Sequence, residues 1–152
     1  MIADLPTPTT PEEVALAYTF TLDRRDFEAY RKLFGETVEV HYEPSQPGVP
    51  EGEVASDEWV SGARHTFTPI AATHHTVVPV SSRTDGDTAT VISNCTARHY
   101  DPDVAGGHTF EQFMVYSHHL RREGDGWIIA RVDAQVLYST GNPGILAKAE
   151  QG

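Results

Sequence analysis

The chain opens with an amphipathic pattern that predicts a helix. Thr10 has the properties of an N-cap, because Pro11 follows it and Glu13 stands three residues later, which is the pattern of a capping box. Apolar positions then recur at helical spacing, at Val14, Ala17, Tyr18 and Thr21 or Leu22. This spacing predicts a helix with one apolar side, which is buried against the rest of the protein.

A polar break, LDRRD at residues 22–26, follows this helix. A second short helix is predicted over 26–34, with Gly35 as its stop, since one face would carry Phe27, Tyr30, Leu33 and Phe34. The break places Asp23 where the first apolar face ends. The carboxylate of Asp23 is therefore a candidate for a site inside the fold.

After Gly35 the pattern changes from helical to alternating. Residues 38–42 predict a strand, residues 43–57 a rim loop rich in proline and glycine, and residues 56–65 a short helix. Long strands with Asp-Gly turn signals follow, and we place them at 73–83, 88–100, 109–122 and 127–138. The tail from residue 141 is expected to be irregular, with a short helix at 145–149.

Helices first and antiparallel strands afterwards predict an α+β fold with helices on one face of a curved sheet. We divide the chain into a flexible arm at 1–10, one domain at 11–140 and a C-terminal tail at 141–152. The length of 152 residues and the apolar content of 39% allow a core that encloses a pocket. The net charge of −11 argues against nucleic acid and against an anionic membrane surface.

Cys95 is the single cysteine of the sequence, so an intrachain disulfide is excluded, which fits a reducing compartment. The first ten residues do not have the pattern of a signal peptide, and no apolar run is long enough for a membrane span. We therefore expect a cytoplasmic protein.

Strand parity indicates which side chains line a pocket. One face of the strand 88–100 carries small or apolar residues and ends in a histidine: Ala89, Val91, Ser93, Cys95, Ala97 and His99. His74 and His75 are neighbours on a strand and face opposite ways, so they cannot chelate one metal and one alone points inward. The eight histidines form no metal-binding motif, and we expect no metal and no cofactor.

Asp23, His75, His99 and Tyr42 form the candidate catalytic group. A buried carboxylate that accepts a hydrogen bond from one imidazole nitrogen fixes the tautomer and makes the other nitrogen a general base. A second histidine and a tyrosine hydroxyl then assist a leaving oxygen or polarise a carbonyl. Asp133 is a second acid candidate if it faces inward, and otherwise it forms a salt bridge with a nearby arginine, Arg131 or Arg98.

The chain resembles the nuclear-transport-factor-2-like superfamily, and within it the SnoaL-like and scytalone-dehydratase-like branch. The motifs that carry the resemblance are LDRRDFEAYRKLF, VEVHY, THHT, ARHYDP and GDGWIIARVD, in this order over residues 11–140. The resemblance implies a cone-shaped barrel of a strongly curved antiparallel, or mixed, sheet that is closed by N-terminal helices around a pocket.

The same resemblance implies roles for single residues. In scytalone dehydratase an Asp, two His and two Tyr eliminate water; the Asp, the histidines and one tyrosine correspond here to Asp23, His75, His99 and Tyr42. The second tyrosine is replaced by Leu22. A Ser and an Asn of the third long strand are replaced by Met114 and Tyr116. Hexachlorocyclohexane dehydrochlorinases, which are similar, keep an Asp–His dyad at the first two positions.

We therefore expect a cofactor-independent lyase of the dehydratase type that acts on a small, hydrophobic, cyclic oxygenated compound. The expected substrate contacts are Tyr116, Met114, Ala97, Cys95, Leu22 and Asp133. A polyketide cyclase, an isomerase or an epoxide hydrolase is the alternative on the same fold. A non-catalytic ligand-binding protein, or a partner like the small subunit of a dioxygenase, is the alternative of another class. A homodimer or homotrimer is expected.

Overall fold

A computed structural model describes residues 4–151 and has the expected α+β architecture. The helices are α1 (Pro11–Asp23), α2 (Phe27–Arg31) and α3 (Ser56–Phe67). The strands are β1 (Phe34–Glu43), β2 (Gly52–Ala55), β3 (Ala72–Asp85), β4 (Thr88–Tyr100), β5 (Thr109–Glu123) and β6 (Gly126–Gly141). Two 3-10 turns follow at Pro143–Ile145 and Lys148–Glu150.

The strands form a strongly curved, unclosed sheet in the order β2-β1-β6-β5-β4-β3. β1 and β6 run parallel and the other neighbours run antiparallel, so the sheet is mixed. Helix α1 packs against β3, β4 and β6 and covers the concave face. Among the described residues, no helix is long and apolar enough to cross a membrane.

The predicted capping box at the start of α1 is confirmed. The Thr10 hydroxyl accepts from the N–H of Glu13 at 3.2 Å, and the Glu13 carboxylate accepts from the N–H of Thr10 at 3.3 Å. The predicted apolar face of the helix is buried as expected: Val14, Ala17, Tyr18, Thr21 and Leu22 are each at most 4% exposed. Burial of this face fixes α1 over the sheet.

Three of the predicted elements differ in the structure, two of them because of sheet pairing. The second helix is shorter than predicted, because Phe34 and Gly35 belong to β1, where Phe34 pairs with Ile129 of β6. The predicted loop 43–57 contains β2, which pairs with β1 as an edge strand. The tail forms two 3-10 turns instead of the predicted helix at 145–149. In the first two cases the partner strand lies far along the chain, so the local pattern did not reveal the pairing.

The inward row predicted for β4 is confirmed, since its members from Ala89 to His99 are all buried. The same parity on β5 buries Phe110, Gln112, Met114, Tyr116 and His118. His118 is 0% exposed, and its ring packs edge-on against Tyr18 with the centroids 4.7 Å apart. Neither ring nitrogen has a hydrogen-bond partner among the described residues. Burial lowers the pKa of His118 to about 3, so this histidine is neutral in the folded protein.

The buried state of His118 predicts a loss of stability in acid. Its pKa is about 3 in the folded chain and about 6.5 in an unfolded one. The contribution of neutral His118 to the free energy of unfolding is therefore fully present above the unfolded pKa. Below that pKa the free energy of unfolding falls by about 1.4 kcal/mol per pH unit, because only the unfolded state takes up the proton. Urea unfolding between about pH 7 and pH 4 should show a flatter acid limb for His118→Leu than for the parent protein.

The exposed His74 provides the control for this measurement. His74→Gln should leave the acid limb unchanged, because this side chain is exposed in the folded protein and is not desolvated there. An acid limb of the same steepness in His118→Leu and in the parent would contradict the assignment of the acid sensitivity to His118.

Candidate active site

The end of α1 positions the central carboxylate. The N–H of Arg25 bonds the carbonyl of Leu22 at 3.0 Å, and the N–H of Asp26 bonds the carbonyl of Thr21 at 2.9 Å. These two bonds, with a left-handed residue between them, form a Schellman motif. Arg25 occupies the left-handed position at φ 57°, where glycine is the usual residue. The polar break predicted from the sequence is therefore a defined helix end, and Asp23 is the last residue of α1.

Asp23 is bound to the start of β3. Its Oδ2 accepts from the backbone N–H of His75 at 2.7 Å, and its Oδ1 accepts from the hydroxyl of Thr73 at 2.9 Å. The same Oδ1 lies 2.7 Å from Nδ1 of the His75 ring. His75 is thus the inward member of the histidine pair and His74 is the exposed one.

The carboxylate of Asp23 is held in its ionised form. Burial acts to raise its pKa, but the hydrogen bond and the charge interaction with His75, together with the bond from Thr73, outweigh burial and lower the pKa. An ionised carboxylate can only accept, so Nδ1 of His75 carries the proton. Nε2 of His75 is then unprotonated in the neutral ring and is available as a base.

His99 lies beside His75, with ring centroids 6.1 Å apart and the rings nearly perpendicular. Its Nδ1 is 2.9 Å from the carbonyl oxygen of Phe110, which can only accept, so Nδ1 of His99 also carries a proton. Burial lowers the pKa of His99 to about 4, and the neighbouring His75 contributes to the shift. His99 is therefore a neutral ring whose Nε2 accepts hydrogen bonds.

Phenol groups occupy another part of the same concave face. Tyr42 lies on β1, Tyr116 on β5 and Tyr18 on α1. Burial raises the pKa of Tyr42, and the interactions of its hydroxyl with those of Tyr18 and Tyr116 only partly oppose that shift. Tyr42 is consequently a protonated hydrogen-bond donor at neutral pH.

Cys95 and Ala97 lie in the inward row of β4, between the histidines and the phenol groups. Cys95 lies near the carboxylate of Asp23 and near the hydroxyl of Tyr42, and it interacts electrostatically with each. Burial raises the pKa of its thiol to about 12, and the Asp23 carboxylate adds to the effect, so the thiol stays protonated. Met114 pairs with Cys95 across the sheet, and Leu22 is buried one residue before Asp23.

Asp133 is not part of this group, which corrects the expectation that it contacts substrate. It is half-buried on the convex face, where its carboxylate binds Arg131 at 2.9 Å and Nε2 of His119 at 2.8 Å. Its neighbours Val132 and Ala134 are the inward residues of β6. Ile129 is buried before a register shift at Ala130, and beyond that shift the buried residues are Val132 and Ala134, so Asp133 faces outward. The salt bridge with Arg131 was the other reading of the sequence.

Polar residues that the sequence pattern did not indicate also contact the group. Thr73 bonds Asp23, and Arg25 bonds Thr73 at 2.8 Å. Gln112 lies in the same cross-strand row as His75 and Ala97 and is 8% exposed. Its parity with Met114 and Tyr116 was a signal that could have identified it.

The histidines are nearly enclosed, with the His75 side chain 4% and His99 3% exposed. Gln46, in the loop between β1 and β2, accepts from Gln112 at 3.4 Å, and Val49 of that loop packs on the core. A groove of about 200 Å³ borders Thr73 and His99 at the ends of β3, β4 and β5. A larger groove of about 530 Å³ lies between α2 and α3 and is lined by none of the site residues.

Metal ligands are not assembled at this site. Among residues 4–151, no group of three His, Cys, Asp or Glu side chains is placed to hold a metal ion. What the arrangement offers is an oriented neutral base, an imidazole acceptor and a phenol donor on one concave face.

The comparisons with known proteins identify the family. Residues 12–133 match the model of the SnoaL-like domain, and the chain belongs to this family. Its fold is that of the nuclear-transport-factor-2-like superfamily, as the resemblance implied. A comparison with curated protein sequences gives no match.

Solved structures share the fold at low sequence identity. The Kfla4162 protein from Kribbella flavida has a TM-score of 0.80 at 22% identity, over 90% of this chain and 93% of that one. A protein provisionally assigned as a scytalone dehydratase, from Novosphingobium aromaticivorans, has a TM-score of 0.73 at 20% identity over 86% and 84%. A ketosteroid isomerase-like protein from Erwinia carotovora atroseptica has a TM-score of 0.67 at 19% identity over 84% and 93%.

The hydrogen-bond acceptors of the two enclosed histidines predict their tautomers. In their neutral forms His75 and His99 should both carry the proton on Nδ1 and not on Nε2, because a carboxylate and a carbonyl face their Nδ1 atoms. Long-range ¹H–¹⁵N spectra of the uniformly labelled protein distinguish the two tautomers directly. His75→Gln and His99→Gln assign the signals by their disappearance, and a proton on Nε2 of neutral His99 would contradict the inferred state.

Proposed function

We propose that the protein is a cofactor-independent lyase of the dehydratase type. Its substrate would be a small, hydrophobic, cyclic compound that carries a carbonyl and a hydroxyl group. The observation that supports this most is the bond of 2.7 Å between Asp23 and Nδ1 of an enclosed histidine. This bond leaves Nε2 of His75 unprotonated and oriented, as a general base requires.

The proposed reaction begins with His75. Its Nε2 removes a proton from the carbon next to the carbonyl, and Asp23 stabilises the imidazolium that forms. The hydroxyl two carbons from the carbonyl then leaves and takes up that proton, so that water is released and a conjugated double bond remains. Tyr42 donates a hydrogen bond to an oxygen of the substrate.

The neutral state of His99 changes the role that the sequence suggested. With Nδ1 bound to a carbonyl and a pKa of about 4, this ring has no proton to give from Nε2. His99 therefore accepts a hydrogen bond from the leaving hydroxyl and orients it. The proton for the leaving group comes from His75.

An isomerase or cyclase is the second candidate. Both also begin with removal of a proton beside a carbonyl, and a ketosteroid isomerase-like protein shares the fold at 19% identity. Elimination, isomerisation and cyclisation differ in where the electrons of the enolate go: to the leaving group, to another carbon that takes up a proton, or to a new carbon–carbon bond. A binding protein without catalysis is less well supported, because it has no need for a carboxylate that orients an enclosed imidazole.

Proton removal can be tested before the natural substrate is known. A panel of cyclic β-hydroxy ketones is incubated with the protein in D₂O and followed by absorbance of the conjugated product and by mass. Elimination gives the conjugated ketone, whereas isomerisation gives a product of unchanged composition. Deuterium in recovered substrate reports proton removal alone.

Asp23→Asn and His75→Ala should each lower the rate by at least about 100-fold, since each removes the oriented base. Tyr42→Phe should reduce elimination less and should leave deuterium exchange measurable. His74→Ala is the matched control, because this neighbour points away from the site, and its rate should equal that of the parent. Near-parent rates in both the Asp23 and the His75 variants would sink the mechanism.

A homodimer or homotrimer, as expected from the sequence, is also part of the proposal. The long strand β3 is an edge of the sheet and exposes Val78 and Val80, which are 55% and 58% exposed. Light scattering across a range of concentrations measures the state, and a monomer throughout would contradict it.

A further inference from the structure

Arg25 has an unusual backbone position and an unusual set of partners. It adopts φ 57° at the end of α1, a left-handed conformation that is strained for a residue other than glycine. Strain of this kind persists where the surroundings determine the conformation, and it is concentrated near functional sites. Glycine would adopt this conformation without strain, so the presence of arginine indicates a role for its side chain.

The guanidinium of Arg25 turns back over the end of its own helix. Nη1 donates to the carbonyl of Leu22 and to the hydroxyl oxygen of Thr73, each at 2.8 Å, and Nη2 donates to the carbonyl of Ile70 at 3.1 Å. The ring of Phe67 lies 5.8 Å below the guanidinium. No carboxylate within the described part of the chain forms a direct ion pair with Arg25, so its partners are neutral groups.

The direction of these bonds has a chemical consequence. A guanidinium can only donate, so the oxygen of Thr73 must accept from it, and the hydroxyl proton of Thr73 must point elsewhere. The acceptor in reach is Oδ1 of Asp23, at 2.9 Å. That same oxygen accepts from Nδ1 of His75.

We propose that Arg25 is a positioning residue, which acts through Thr73 to orient the carboxylate of Asp23 and with it the ring of His75. The hydrogen bonds of the Arg25 side chain go to Leu22, Asp23, Ile70 and Thr73, and none goes to the ring of His75. This inference rests on the proposed function for its kinetic consequences, while its consequence for the His75 ring does not depend on any substrate.

Replacement by glycine separates positioning from structure. Glycine fits the left-handed position without strain, so Arg25→Gly should fold at least as well at that site while it loses the guanidinium. If Arg25 only ends the helix, Arg25→Gly behaves as the parent. If it positions Asp23, turnover falls by about 10- to 100-fold, as it does when supporting residues behind metal ligands are replaced.

The spectroscopic measurement needs no substrate. The proton between Asp23 and Nδ1 of His75 gives a far-downfield ¹H signal, which should shift upfield or broaden in Arg25→Gly and in Thr73→Val. Thr73→Ser keeps the hydroxyl and should restore the signal, and Arg25→Lys, which keeps the charge but not the planar fork, should restore it only in part. Arg24→Ala is the control. The side chain of Arg24 lies away from the site, so its replacement should leave the signal and the rate unchanged.

The pH profile provides a second measurement. Loss of the nearby cation, or of the hydroxyl bond to the carboxylate, favours the imidazolium, so the acid limb of kcat/KM should move to higher pH in Arg25→Gly and in Thr73→Val. A parent-like signal, rate and pH profile in folded Arg25→Gly would overturn the positioning role. Failure of Asp23→Asn to lower turnover would instead overturn the proposed function, and it would leave the spectroscopic result to be judged by itself.

Discussion

The carboxylate of Asp23 joins parts of the chain that lie 50 and 52 residues apart in the sequence. It accepts hydrogen bonds from the backbone and the ring of His75 and from the hydroxyl of Thr73. These bonds fix the end of α1 against the start of β3. Hydrogen bonds to a charged group contribute about 1.5–3 kcal/mol each, and an unpaired buried partner costs as much. The depth at which α1 lies in the concave face, and thus what its apolar side covers, depends on this contact.

The two histidines of this site share one tautomer, but their rings respond differently to positive charge because their acceptors differ. A charged carboxylate faces Nδ1 of His75, and it stabilises positive charge on that ring. A neutral carbonyl faces Nδ1 of His99, and burial then dominates and lowers the pKa of that ring to about 4. The sequence predicted that both histidines face inward, with His75 as the base and His99 as a group that assists the leaving oxygen. The acceptor of each ring is set by strand register, which no local pattern reveals.

Local patterns predicted much of the fold, and long-range pairing accounts for what they missed. The capping box, the four long strands and the buried parity of β4 all follow from spacing along a single segment, and the structure confirms them. β2 and the early start of β1 depend on partners elsewhere, so their own residues resembled a loop and a helix end. Asp133 was placed with the site, but it faces outward because the register shift between Ile129 and Arg131 moves the inward positions of β6 from Trp127 and Ile129 to Val132 and Ala134.

Two costly features of the concave face differ in how they are compensated. His118 is fully enclosed, neither of its ring nitrogens is bonded within the described residues, and its ring packs against Tyr18 and Tyr116. Arg25 holds a strained backbone, but its guanidinium meets Leu22, Ile70 and Thr73. The Thr73 hydroxyl that accepts from Arg25 donates in turn to the Asp23 carboxylate, whereas the ring nitrogens of His118 have no such partner within the described residues. That difference makes Arg25 the residue of the two that acts on the chemistry of the site, and makes His118 the one that acts on stability alone.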